Sequence, residues 1–138
     1  MSVTYHPVVP GLAKFGDYSP VSESSGGDLV VVAGQFGTDE AGAFPATDSA
    51  ADQVRGSFAN VGRALAAVGL GFEHVVKFQT FLVGRETIPH FMQTRREVFS
   101  DIYPEGVYPP NTLLVVAGLV EERFVVEIEA LAIRPAGA

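Results

Sequence analysis

Hydrophobic and polar positions along this chain recur with two different periods, and each change of period marks an element. Val3-Thr4-Tyr5-His6 alternates and predicts a first strand. Residues 14–24 read as a second strand with Pro20 near its middle, which implies an edge or a bulge because proline brings no N–H to a ladder. Ser24-Ser25-Gly26-Gly27-Asp28 has turn chemistry and leads into Leu29-Val30-Val31-Val32-Ala33-Gly34-Gln35, an apolar run expected to be a buried third strand. The second and third strands are therefore predicted to form a hairpin. Residues 37–47, rich in Gly, Pro and small polar side chains, predict a loop.

The period then lengthens. Ala51, Val54, Phe58, Val61, Leu65 and Val68 recur every three or four positions and predict an amphipathic helix, with Asp48 or Ser49 as its cap and Gly69 as its stop. Residues 75–83 return to strand character. Thr87 and Pro89 open a second helix that turns Ile88, Phe91, Met92, Val98, Phe99 and Ile102 inward. The runs 108–116 and 124–130 predict two final strands, read as a hairpin through residues 118–123. Helices alternating with strands in the second half predict an α+β fold with two helices on one face of a mixed sheet. No internal repeat or linker is visible, so residues 1–138 are expected to form one domain.

Composition sharpens this picture. The chain is 47% hydrophobic and only 18% charged, against about 25% charged in ordinary soluble domains, which leaves too little polar surface for a monomer and predicts an oligomer. The formal net charge is −7 and the basic residues are scattered apart from Arg95-Arg96, so there is no electrostatic footprint for a nucleic-acid backbone. With no cysteine, disulfides and thiolate metal sites are excluded. No basic, long apolar leader follows Met1 and no run reaches the roughly 18 apolar residues of a membrane span, so a cytoplasmic protein without membrane contact is expected.

The candidate chemistry lies in the last strand. Glu127 and Glu129 share one side of Val126-Glu127-Ile128-Glu129-Ala130, while the apolar residues take the other. A carboxylate within an apolar sheet has to be paired, hydrogen-bonded or exposed to a wet cleft. Glu127 therefore has two readings, a pocket residue or a structural partner of an arginine or of backbone amides, and Glu129 is read as structural. His6, His74 and His90 lack ligand spacing and no carboxylates cluster in metal-site order, so no metal is expected. No serine has a Gly-x-Ser-x-Gly context, and Gly69-Leu70-Gly71 follows a helix rather than a strand, which excludes a dinucleotide fingerprint. No cofactor is expected.

Four segments, in order and spacing, carry a resemblance: Gly16-Asp17-Tyr18-Ser19-Pro20, Ala33-Gly34-Gln35, Pro109-Pro110-Asn111-Thr112 and Val126-Glu127-Ile128-Glu129-Ala130. Together they resemble the signature of the Rid family of reactive-intermediate deaminases, also called the YjgF or L-PSP endoribonuclease family. The resemblance implies a chorismate-mutase-like fold, assembled as a homotrimer with three small-molecule clefts between subunits. It gives Glu127 the role of orienting or activating water and Tyr18 contact with ligand from a neighbouring subunit, although a tyrosine beside a turn is also ordinary packing.

Asn111 stands where family deaminases carry the arginine that holds the substrate carboxylate. An amide cannot replace two parallel charge-assisted bonds, so a carboxylate substrate loses its main anchor. Asn111 is equally readable as a turn residue before a strand. Ala33 replaces a common serine, and Gln93 a common asparagine. Arg85, Arg95, Arg96 and Arg123 are the cations available to restore the charge, but Arg95-Arg96 on a helix is read as a solvated face. The resemblance thus implies a divergent imine or enamine hydrolase acting on a small metabolite other than simple 2-imino acids. Backbone groups around Asn111, Thr112 and Leu113 would hold that metabolite. The alternative is a non-catalytic trimer that binds a metabolite in the same cleft; nuclease activity is disfavoured by the charge.

Overall fold

The computed structural model describes residues 3–137. Its larger sheet contains β3 (Asp28–Gln35), β4 (Val75–Val83), β5 (Asn111–Val116) and β6 (Val126–Arg134), in the spatial order β3-β6-β4-β5. A two-stranded ribbon of β1 (Val3–His6) and β2 (Val21–Ser24) stands apart from it. The ribbon is tied to the start of β4, because the Tyr5 hydroxyl donates to the Val75 carbonyl and the Ser22 hydroxyl to that of Val76, both at 2.6 Å.

Helix α1 (Ala50–Ala67) begins at Ser49, whose side chain accepts from the Asp52 N–H. It ends where Gly69 takes φ +77°: the Gly69 N–H reaches the Ala66 carbonyl and the Leu70 N–H the Leu65 carbonyl, which satisfies the last turn. Helix α2 (Thr87–Ile102) carries Pro89 in its first turn, where no intrahelical N–H is required. Both helices pack on the sheet face bearing Phe78, Leu82, Val126, Ile128, Ala130 and Ala132, all buried. Phe58 of α1 meets Phe78 at 5.5 Å and Phe99 of α2 at 5.4 Å, ring centre to ring centre. Burying each such ring contributes about 1.5–3 kcal/mol, so this aromatic cluster fixes the helices against the strands.

Two predicted hairpins are not formed. The second strand is Val21–Ser24 alone, and it pairs with β1 rather than β3. Residues 14–20 are irregular, since Pro20 offers no ladder donor, and β3 is matched along its length by β6. The Gly26-Gly27 turn, at φ +85° and +98°, therefore leads from one sheet into another. Likewise β5 and β6 are separated by β4, which runs antiparallel to β6 and parallel to β5. A parallel pair needs a crossover, and α2 supplies it, which places β5 at the outer edge.

Among the described residues no helix covers the second face of the larger sheet. Strand alternation sets Val31, Lys77, Gln79, Phe81, Leu114, Glu127, Glu129 and Leu131 there, and Val31 is 66% exposed.

Candidate functional site

Pro20 ends the irregular segment 14–20, and Pro109-Pro110 holds the chain extended before β5; the two segments meet where the Ser19 N–H donates to the Pro109 carbonyl at 3.3 Å. Between them and α2 lies a cavity of about 440 Å³. Tyr18, Asn111, Thr112 and Leu113 line it, joined by Ser19, Arg95 and the apolar side chains of Phe15, Ile88 and Met92. A hollow of about 530 Å³ between α1 and the 37–45 loop is larger. Its amide and guanidinium side chains are already engaged, however: the Asn60 amide donates to the Phe36 and Thr38 carbonyls, and Arg63 donates to Asn60.

Within the first cavity, the Tyr18 hydroxyl accepts from the Phe15 N–H at 3.1 Å. The Asn111 Oδ1 accepts from the Thr80 hydroxyl at 2.8 Å, so the amide group is what Asn111 has left to offer. Ser19 is buried and its hydroxyl has no partner among the described residues.

Arg95 overturns the expectation of a solvated side chain. It is 2% exposed, lying 4.9 Å above the Phe91 ring and 5.8 Å from that of Phe99. Among the described residues its Nε has no partner and one Nη donates only to the Met92 sulfur, at 3.2 Å. Burial pushes its pKa down, opposed chiefly by the nearby charge of Asp17. Asp17 is itself bonded to Arg96 at 3.3 Å. The burial was legible in the sequence: Arg95 falls four residues after Phe91 and four before Phe99, on the stripe of α2 that faces the core.

Glu127 is not in this cavity. It lies on the uncovered sheet face, opposite Phe81 of β4 and against Gly34, where an added Cβ would overlap its carboxylate. Ladder pairing between β3 and β6 shifts between Val32 and Gln35, so Ala33-Gly34 forms a bulge beside Glu127. Burial, and then repulsion from Glu129, raises the Glu127 pKa above the usual carboxyl range. Ala33 is exposed in that bulge, and Gln93 is exposed on α2 and does not line the cavity. Of the side chains singled out from sequence, one protomer thus gathers Tyr18, Asn111, Thr112 and Leu113, while Glu127 and Ala33 lie together elsewhere and Gln93 stands alone. Among the described residues no three His, Asp or Glu side chains converge as a metal would require, and no helix is long and apolar enough to cross a membrane.

Residues 11–134 match the family described as Endoribonuclease L-PSP. The uncharacterised protein SCO2049 of Streptomyces coelicolor is 30% identical over 125 residues, covering 86% of this chain and 89% of that protein. Among solved structures, the Rid-family protein YyfB of Yersinia pestis has the same fold, with a TM-score of 0.82 at 19% identity over 97% of this chain and 100% of that one. Escherichia coli TdcF, solved with bound serine, gives 0.69 at 26% identity over 88% and 91% of the two chains. The E. coli YjgF gene product gives 0.69 at 25% over 95% and 94%. With its profile matched from the residues before Tyr18 to the end of β6, the chain belongs to the Endoribonuclease L-PSP family, the group that also takes in YjgF and the Rid proteins.

Proposed function

We propose that this protein is an imine or enamine hydrolase of the Rid type, acting on a small metabolite other than the simple 2-imino acids, in a cleft completed by a neighbouring copy within a homotrimer. The observation that carries the reading is the meeting of Tyr18, Asn111, Thr112 and Leu113, from distant parts of the chain, around one cavity. The second copy would present the uncovered sheet face, whose apolar side chains include the exposed Val31 and Leu114, and with it Glu127. There Glu127, its pKa already raised, would take a proton from water as the oxygen bonds to the C=N carbon. Glu127 returns that proton to the nitrogen, and collapse of the resulting carbinolamine breaks the C–N bond as the hydroxyl proton passes to nitrogen, which gives a carbonyl compound and ammonia. The Asn111 carbonyl is occupied by Thr80, and the cavity wall includes Ile88, Met92 and Leu113, which favours a substrate bulkier than 2-iminopropionate.

Ammonia release tests this reading. The substrates are 2-iminopropionate, 2-aminoacrylate, bulkier 2-imino acids generated in situ and uncharged enamines. Release is expected from one or both of the last two classes, and Glu127→Gln should lower kcat by about 10²–10⁴-fold with a smaller change in KM. Equal loss in binding and turnover would leave Glu127 a structural role. The bound serine of TdcF favours a second reading, a trimer that binds an amino-acid-sized metabolite without converting it. Saturable binding with no ammonia release from any substrate would establish that alternative. RNA cleavage is not part of the proposal, because the net charge of −7 opposes a phosphate backbone and Arg55, Arg96 and Arg123 are each paired with an acid.

A further inference from the structure

We infer that Arg95 is the anion anchor of the cavity and that the ligand is a small organic carboxylate with an apolar tail. The inference deepens the proposed function, since it rests on the same cavity and names the ligand class. A guanidinium that is 2% exposed normally lies against a carboxylate, because a buried unpaired charge is among the costliest groups a protein can hold. Arg95 has no such partner among the described residues: its Nε is unbonded, and its one hydrogen bond goes to a thioether, a weak acceptor. The nearby acid, Asp17, is bonded to Arg96.

A second orphan lies on the same wall. The Ser19 hydroxyl is buried without a partner, and Ser19 and Arg95 both line the cavity. Two buried donors left unsatisfied around one hollow are the complement of an acceptor-rich group, and a carboxylate supplies two acceptor oxygens and the missing negative charge. The Asn111 amide is free to donate as well, since only its Oδ1 is engaged by Thr80. Ile88, Met92 and Leu113 form the apolar remainder and would take the tail. The Phe91 and Phe99 rings beneath the guanidinium hold its plane and partly offset its charge, so the cation persists in the empty cavity. A guanidinium on α2 thereby restores the charge that Asn111 does not provide.

The full chain should be titrated calorimetrically with three probes: 4-methyl-2-oxopentanoate, pyruvate, and the neutral ketone 4-methyl-2-pentanone. The branched oxo acid is expected to bind at least about tenfold more tightly than pyruvate because of its buried tail. It should also exceed the neutral ketone by about ten- to a hundredfold because of its charge. Arg95→Met should remove that second margin while leaving the melting temperature of the ligand-free protein unchanged or higher, since an unpaired buried cation is replaced by an apolar chain of similar length. Arg95→Lys should keep part of the margin.

Equal affinity of the wild type for the oxo acid and the ketone would overturn the inference without recourse to any variant. Unchanged oxo-acid affinity in Arg95→Met would do the same. A Met variant that melts lower and loses the ketone along with the oxo acid would make Arg95 a structural residue. Binding or ammonia release confined to uncharged compounds would remove this inference and leave the hydrolase reading standing. No binding and no release in any arm would end both.

Discussion

The cavity beside α2 and the uncovered sheet face are opposites in charge and in completeness. The first is lined within one protomer and buries a cation, Arg95, with no counter-ion bonded to it among the described residues. The second carries two carboxylates, Glu127 and Glu129, on a surface that no helix covers, with Val31 and Leu114 exposed around them. Each region is unfinished in a different currency: one lacks negative charge, the other lacks cover. A small anion would complete the first and, in the proposed homotrimer, an apolar surface of a second copy the second, so each deficit can be probed by its own substitution.

The assembly side can be broken alone. Val31→Glu puts a charge on the uncovered face, in the edge strand β3. Val31 is already 66% exposed, so folding of a lone protomer should change by no more than about 0.5 kcal/mol. In the proposed homotrimer the same charge would be buried and unpaired. The expected outcome is the largest of this set: a trimer mass for the wild type by light scattering, a monomer mass for Val31→Glu, and complete loss of ammonia release. A variant that stays trimeric, or a wild type that is monomeric at micromolar concentration, would refute the assignment of this face.

The cation side can be moved rather than broken. Asn111→Arg would set a second guanidinium beside the same cavity and leave the Thr80 hydroxyl without its acceptor, and is expected to cost about 1–3 kcal/mol of stability. Combining it with Arg95→Met leaves one cation, now on β5. The double variant should recover most of the melting temperature and gain affinity for pyruvate relative to Arg95→Met by about tenfold. Additive loss of stability in the double variant would mean that the two positions do not share a site.

The legibility of the two regions in the sequence differs for physical reasons. Elements whose signals are local are legible in the sequence. Strand character over residues 75–83 marks β4, and Asp48 or Ser49 with Gly69 marks the ends of α1, where the cap is Ser49. Strand partners depend on long-range competition, and the sequence holds nothing that tells β2 to choose β1, or β4 to pass between β5 and β6. Tyr18 and Asn111 were singled out by motif, and the structure brings them to one cavity. Arg95 carries two opposed signals, a charge that usually implies solvation and a spacing from Phe91 and Phe99 that places it on the inward stripe. Here periodicity outweighed residue type, because a long side chain with a flat, weakly hydrated head can be stacked on aromatic rings where an ammonium would not be.

The smallest expected effect concerns the acidic face alone. Burial and the charge of Glu129 hold the Glu127 pKa above its ordinary value, so the folded protein keeps this proton over a pH interval in which the unfolded chain has already released it. The stability Glu127 contributes is therefore fully present below the ordinary carboxyl pKa and is lost as pH rises through the elevated one. Glu127→Gln does not titrate and escapes that loss. It should melt about 1–2 °C above the wild type at neutral pH and coincide with it at pH values below the ordinary carboxyl range. The side chain is partly exposed in a single protomer, which keeps the effect small there. A covering copy would strip water from Glu127 and widen the interval, so the gain should be larger in the trimer than in the Val31→Glu background. The same gain at every pH would trace it to packing rather than ionisation, and an equal gain in both backgrounds would place Glu127 outside the interface.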